Sequence, residues 1–168
     1  MNSNISPYDE YQKRLHEFMY FCKHDGFRCL ELDYDERQYE QAASAYSLNQ
    51  RAYRCKACYS MRLDAIAHYA CEQGYDAIST TLSVSPYQNG PSIKAALEHA
   101  AQRYGVLAMY RDFTSEYEAS VIDSRELGMY RQNYCGCRFS AFEAEKDRVQ
   151  AKKDRHFNKA LFRALKRI

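Results

Sequence analysis

Four of the chain's seven cysteines come in close pairs. Cys55-Lys56-Ala57-Cys58 is a C-x-x-C pattern, and Cys135-Gly136-Cys137 is C-x-C. Thiolates are soft ligands, and thiolates close in sequence can converge on one metal centre. Four of them suit tetrahedral zinc or an iron–sulfur cluster. Gly136 lets the backbone fold tightly between its two neighbours. A C-x-x-C that opens a helix could also be a redox dithiol, its thiol pKa values lowered by the helix N-terminus. Spacing alone leaves zinc, iron–sulfur, dithiol and no metal open. Cys22, Cys29 and Cys71 stand singly among apolar neighbours and read as small buried hydrophobes. An odd cysteine count argues against a full disulfide set and fits a reducing compartment.

Other residues carry weaker signals. Tyr130-Arg131-Gln132-Asn133-Tyr134 leads straight into the C-x-C pair. Aromatics and an arginine there could stack on a base or grip a phosphate, or simply pack around the loop. Asp112 follows a predicted strand, near the carboxyl end where ligands gather in open α/β sheets. It could equally cap a helix. Thr80, Thr81, Ser83 and Ser85 lie at or just beyond another strand end, where they could bind a substrate or cap a turn. The five histidines show no ligand spacing among themselves.

The elements that must position these residues follow from periodicity. Ser6, Pro7 and Asp9 form a capping-box pattern with proline at the first helical position. Tyr8, Tyr11, Leu15, Phe18, Met19 and Cys22 then keep helical spacing, and Gly26 stops the helix. Residues 27–32 read as a strand and 35–47 as a weakly apolar helix. A helix runs from about Cys55 to Gln73, closed by Gly74. Residues 76–82 are β-branched and read as a strand. A turn holding Pro86, Asn89, Gly90 and Pro91 precedes a helix over 92–104, ended by Gly105, and a strand over 106–110. This alternation predicts an α/β fold, a parallel sheet with covering helices. Three strands make a small sheet, and the chain starts in a helix with no strand before it.

The chain has 168 residues, 46% hydrophobic and 27% charged. That suits one folded domain over 1–140 with a tail over 141–168, and excludes a mostly disordered or fibrous chain. No apolar run is long enough for a membrane helix, and the N-terminus has no apolar signal core. A cytoplasmic home without membrane contact is expected. The tail carries nine Lys/Arg against four Asp/Glu, whereas the body carries 15 against 18. In the tail Phe157, Ala160, Leu161, Ala164, Leu165 and Ile168 recur at helical steps. Lys152, Lys153, Arg155, Lys159, Arg163, Lys166 and Arg167 largely avoid that stripe. Such a helix either lays basic side chains along phosphates or presents a solvated charged face.

At these residues the sequence resembles the QueH-type epoxyqueuosine reductase family. The matching stretches are Arg54-Cys55-x-x-Cys58-x-x-x-Arg62-Leu63, then Thr80-Thr81-Leu82-Ser83-x-Ser85-Pro86, then Asp112-Phe113. The most specific is Tyr130-Arg131-Gln132-x-Tyr134-Cys135-Gly136-Cys137-x-Phe139-Ser140. Asn4-Ile5-x-Pro7-x-x-Glu10-Tyr11-x-x-Arg14 also fits. The basic tail lies outside the match.

The resemblance implies a Rossmann-like α/β fold and the reduction of epoxyqueuosine to queuosine at the wobble position of tRNA, the last step of that modification. It implies a [4Fe–4S] cluster and a nearby mononuclear metal, iron or zinc. Cys55, Cys58, Cys135 and Cys137 match the family's metal-site cysteines. Asp112 and Tyr134 become candidate proton donors. Tyr130, Arg131, Gln132 and Ser85 become candidates for holding the substrate, an anticodon loop. Removing an epoxide oxygen takes two electrons and two protons, so an external electron donor is expected. The family also carries a C-C-x-P motif after its first strand, ahead of the segment where this chain begins. The expectation is therefore a chain lacking one sheet strand and one cysteine pair of the family. The rival expectations are a zinc-stabilised RNA-binding module without catalysis, and an inactive truncated member of the family.

Overall fold

A computed structural model describes residues 2–165, without the side chains of residues 160, 161 and 163–165. Of the tail, Lys166, Arg167 and Ile168 lie outside the described residues. The elements run α1 (Tyr8–Asp25), α2 (Glu36–Ala43), α3 (Arg51–Glu72), β1 (Ala77–Ile78), α4 (Gly90–Tyr104), β2 (Leu107–Ala108), α5 (Tyr117–Glu126) and α6 (Arg138–Leu165). The architecture is mixed α/β and mostly helical, with one small parallel sheet.

That sheet has two strands, paired in parallel with Ala77 opposite Leu107 and Ile78 opposite Ala108. Leu107 N–H donates to the Asp76 carbonyl at 2.8 Å and Met109 N–H to that of Ile78 at 2.9 Å. Parallel strands need a crossover, and α4 supplies it, so β1-α4-β2 is one βαβ unit. Asn89 caps α4 by accepting from Ser92 N–H at 2.9 Å. Gly105 ends it at φ +71°, a left-handed conformation that a residue with a Cβ resists.

The main core lies where α3 and α4 meet the sheet. Tyr59, Leu63, Ala67 and Ala70 present one stripe of α3, and Ile93, Leu97, Ala100 and Ala101 the matching stripe of α4. Leu63, Ile93 and Leu97 are wholly buried. Each such side chain contributes about 1.5–3 kcal/mol on leaving water. A second, smaller cluster sits on the other side of α3. There Tyr39 and Ala43 of α2 pack on Cys58, with Met61, Cys137 and Phe139 around them. This cluster is the floor of the cysteine site.

Four expectations change. Residues 27–32 form no strand; they run as irregular chain along α1, with Phe27 and Leu30 largely exposed. Side chains rather than a ladder hold this segment: Tyr11 donates to Glu31 at 2.7 Å, and the Phe21 and Phe27 rings lie 6.0 Å apart. Ser6 caps nothing. Pro7 itself is the N-cap of α1, in extended conformation, and the Ser6 backbone is committed to the cysteine loop instead. Cys71 is exposed rather than buried. The helix expected in the tail begins before it, for α6 runs unbroken across residue 140.

Candidate metal centre

The two cysteine pairs come from distant parts of the chain, and Cys137 packs against Cys58 beside Tyr39 and Ala43 of α2. Cys55 and Cys58 lie one turn apart on α3. Cys135 and Cys137 lie in the loop that leads into α6. Cys137 packs on the same cluster as Cys58, and the Tyr39 hydroxyl is hydrogen-bonded to its sulfur. Ser140 closes the start of α6 onto it, with its N–H 3.4 Å from the Cys137 sulfur. The Cys135 sulfur accepts from Gln88 Nε2 at 3.4 Å. Gln88 is oriented by Tyr59, which donates to its carbonyl oxygen at 2.6 Å. The loop after β1 thus reaches the cysteines through one side chain, as expected for a site outside a strand's carboxyl end.

Cys55 and Cys58 feel the other thiols. Burial comes first in raising Cys55, followed by the charges of Cys135 and, further down, Cys137. Burial pushes Cys58 up to about 12, and the other three cysteines add to the rise while Arg62 opposes it. The C-x-x-C spacing predicted lowered thiol pKa values at a helix start. Helix α3 begins at Arg51, a turn ahead of Cys55, so neither thiol sits on the helix N-terminus and burial decides. A cationic ion nearby would reverse that balance, because a coordinating thiol gives up its proton.

The C-x-C loop is held by the N-terminal segment and α1. Arg14 donates to the carbonyls of Cys135 at 2.9 Å and Tyr134 at 3.1 Å. Its Nε pairs with Glu10 at 2.8 Å, and both side chains are nearly buried. Glu10 in turn accepts from the Tyr130 hydroxyl at 2.8 Å. Ser6 N–H donates to the Gly136 carbonyl at 2.9 Å, and the Ser6 carbonyl accepts from the Tyr134 hydroxyl at 2.8 Å. Gly136 sits at φ +138°, and an added Cβ would meet Arg14 Nη1 and Ile5 Cγ1 at 3.1 Å. A glycine is needed there on both counts.

A second clamp joins the cysteine loop to the C-x-x-C helix. Arg54, next to Cys55 and fully buried, donates to the carbonyls of Ser47 and Leu48. Its other nitrogen reaches Glu143 on α6 at 2.5 Å, and the guanidinium stacks 4.6 Å from the Phe139 ring centre. Arg138 pairs with Glu40 of α2. Among the described residues, two buried polar atoms near the site have no hydrogen-bond partner: Asn4 Oδ1 and Arg62 Nε. Arg62 Nη2 donates to Asn2 at 2.5 Å.

The remaining candidates are placed as follows. Tyr134 lies under Arg14, 5.1 Å from the guanidinium to the ring centre, and burial raises its phenol pKa. The hydrogen bond to Glu10 raises that of Tyr130. Arg131 and Gln132 are exposed. Asp112 accepts from Thr114 N–H at 2.9 Å, and that bond lowers its pKa. The 80–85 segment mostly satisfies itself: Thr80 Oγ1 accepts from Leu82 N–H, and Ser85 Oγ from Tyr87 N–H at 3.3 Å. Ser83, buried, donates to the Arg111 carbonyl at 2.6 Å and so ties the two strand ends together. Sequence reasoning did not assign the Glu10–Arg14 and Arg54–Glu143 clamps. The acid–base step of four on α1 was the available signal for the first.

The donor set fits a multi-iron cluster in kind. Among the described residues no three His, Cys, Asp or Glu side chains gather closely enough to hold a single ion. A cluster held by four cysteines does not ask for that, because its thiolates bind the separate irons rather than one shared ion. The mononuclear metal implied by the resemblance finds no ligand set among the described residues.

Comparison with known proteins gives one consistent result. The family model described as Epoxyqueuosine reductase QueH matches residues 1–143. A Thermotoga maritima protein named epoxyqueuosine reductase QueH is 33% identical, over 92% of this chain and 83% of its own length. A Dehalococcoides mccartyi protein of the same name is 34% identical, over 84% of this chain and 76% of its own. For a Helicobacter pylori protein of that name the figures are 35%, 83% and 40%.

Proposed function

The chain belongs to the QueH family of epoxyqueuosine reductases, a family of oxidoreductases, and we propose that it reduces epoxyqueuosine to queuosine in tRNA. The observation that supports this reading is the packing of Cys137, from the C-x-C loop, against Cys58 of the C-x-x-C helix, with two buried arginine clamps holding that loop. The four cysteines would hold a [4Fe–4S] cluster. When bound, the cluster supplies electrons one at a time from an external donor. Converting the epoxide to the alkene consumes two electrons and two protons and releases the oxygen as water.

The chain's own residues would do the rest. Of the two proton-donor candidates the geometry favours Tyr134, which adjoins Cys135 and keeps its proton through the neutral range. Asp112 is exposed, and its carboxylate is held ionised by the Thr114 amide. Arg131 and Gln132, exposed on the loop, would meet a splayed anticodon base or its phosphates. The parallel β1-α4-β2 unit is the feature that supports a Rossmann-like reading of the sheet. The test is anaerobic incubation with epoxyqueuosine-containing tRNA and a chemical reductant, followed by nucleoside mass spectrometry. Queuosine should form, and Cys55→Ala or Cys135→Ala should abolish it. A colourless zinc-holding protein that binds RNA without turnover would instead mark a structural module.

A further inference from the structure

Over its described stretch up to residue 159, helix α6 packs on the body only at its start. Its first turns are pinned there by Arg54 and Arg51 against Glu143, and by Arg138 against Glu40. Then it leaves. Every residue over 145–159 is exposed, on all sides of the helix. That stretch is about 21 Å of helix at 1.5 Å per residue. A helix solvated all round bridges solvent between parts of an assembly or relies on its own i,i+4 pairs. This one is rooted immediately after Cys137, so the arm starts at the cysteine loop.

The charges on the arm are sorted. Lys152, Arg155 and Lys159 follow at steps of three and four, so they stack along one face over two turns. Asp147 and Asp154 are seven apart and fall on the opposite face. Glu145 is the one acid of the described arm on the basic side, and it is paired to Arg148 at 3.0 Å. Arg163 and Lys166 continue the same spacing in sequence. Lys146 and Lys153 point to a different side.

We propose that this face of α6 is a docking rail for the RNA backbone, engaging tRNA phosphates away from the base that enters the cysteine site. The inference rests on the reductase reading for the identity of the polyanion. It adds the surface by which that substrate is held. A linear run of cations complements a phosphate backbone, which dominates affinity and makes it salt-dependent. The anchoring by Arg54 fixes the direction of the rail relative to the cysteines.

The experiment measures Kd against salt for the full chain with a fluorescently labelled tRNA containing epoxyqueuosine, and with the isolated anticodon stem–loop. The variants are Lys152→Gln with Arg155→Gln and Lys159→Gln, and the control Lys146→Gln with Lys153→Gln. Far-ultraviolet circular dichroism checks that the helix persists. The triple variant should bind full tRNA at least tenfold more weakly at low salt. Its log–log salt slope should be shallower by about two, since each phosphate left without its cation removes about 0.7–0.9 from the slope. The control should keep the wild-type slope, and the stem–loop should feel the triple variant less. An unchanged slope in the triple variant, an equal loss in the control, or tighter binding to anionic phospholipid vesicles than to tRNA would overturn the rail. Single-turnover reduction at saturating tRNA separates this from the reductase reading. A wild-type chain that binds through the stripe but forms no queuosine would sink the reaction and leave the rail standing. One that forms queuosine with an unchanged slope in the triple variant would do the reverse.

Discussion

Replacing Arg14 by leucine removes a side chain that joins Glu10 of α1 to the cysteine loop. Arg14 and Glu10 are only 12% and 9% exposed, so the pair sits largely out of water. Losing one partner leaves Glu10 buried with only the Tyr130 hydroxyl to satisfy it. Breaking a buried pair in this way costs about 3–5 kcal/mol. The carbonyls of Tyr134 and Cys135 lose their donors in the same step. Against a typical total of about 5–15 kcal/mol, the loss is large. Urea unfolding of the reduced, metal-free chain, followed by circular dichroism, measures it. The midpoint should fall without a change in slope. Much of the loss should return in Arg14→Leu with Glu10→Leu, a coupling of about 2 kcal/mol or more. Alkylation of Cys135 should also quicken, because its loop is no longer tied down. A cost below about 1 kcal/mol, or no coupling between the two positions, would refute the clamp.

Two further outcomes follow from the same geometry. Gly136→Ala places a Cβ at φ +138° and 3.1 Å from Arg14 and Ile5; it should cost about 1–3 kcal/mol in urea unfolding and lower the iron retained per chain. Burial raises the Tyr39 phenol well above its ordinary value. Below a pH of about 10 the phenol is protonated folded or unfolded, while above it only the unfolded chain gives up the proton, so stability falls as pH rises. Tyr39→Phe should make that alkaline fall in melting temperature shallower, by up to about 1.4 kcal/mol per pH unit in stability, and an identical fall in both proteins would count against the burial argument.

Much of this was legible in the residues. Helix α4 carries its own punctuation, Asn89 at one end and Gly105 at the other, and its stripe of Ile93, Leu97, Ala100 and Ala101 is the observed core face. The C-x-x-C and C-x-C pairs pointed toward each other, and Cys137 does pack against Cys58; Gly136 marked the tight turn. The start of α3 was not legible, because Gln50 caps nothing with its side chain and Arg51 to Arg54 carry no start signal. That miss reversed the expected direction of the thiol pKa values. Residues 27–32 have strand composition but find no partner ladder among the described residues. Ser6 and Pro7 spelled a cap, yet tertiary contact claimed the Ser6 backbone for Gly136 and Tyr134. Long-range pairs such as Arg54 with Glu143 leave no local signature, so the device that joins the two cysteine pairs was visible only in three dimensions.

The most direct test of the central claim is iron and acid-labile sulfide per chain, with an absorption spectrum, on protein purified without oxygen. The account predicts near-stoichiometric iron and sulfide for one four-iron cluster, with absorbance near about 400 nm from thiolate-held iron. The signal should be lost in Cys55→Ser, Cys58→Ser, Cys135→Ser and Cys137→Ser alike. A cluster that survives replacement of either pair, or a chain that holds tightly bound zinc in place of iron, would contradict it.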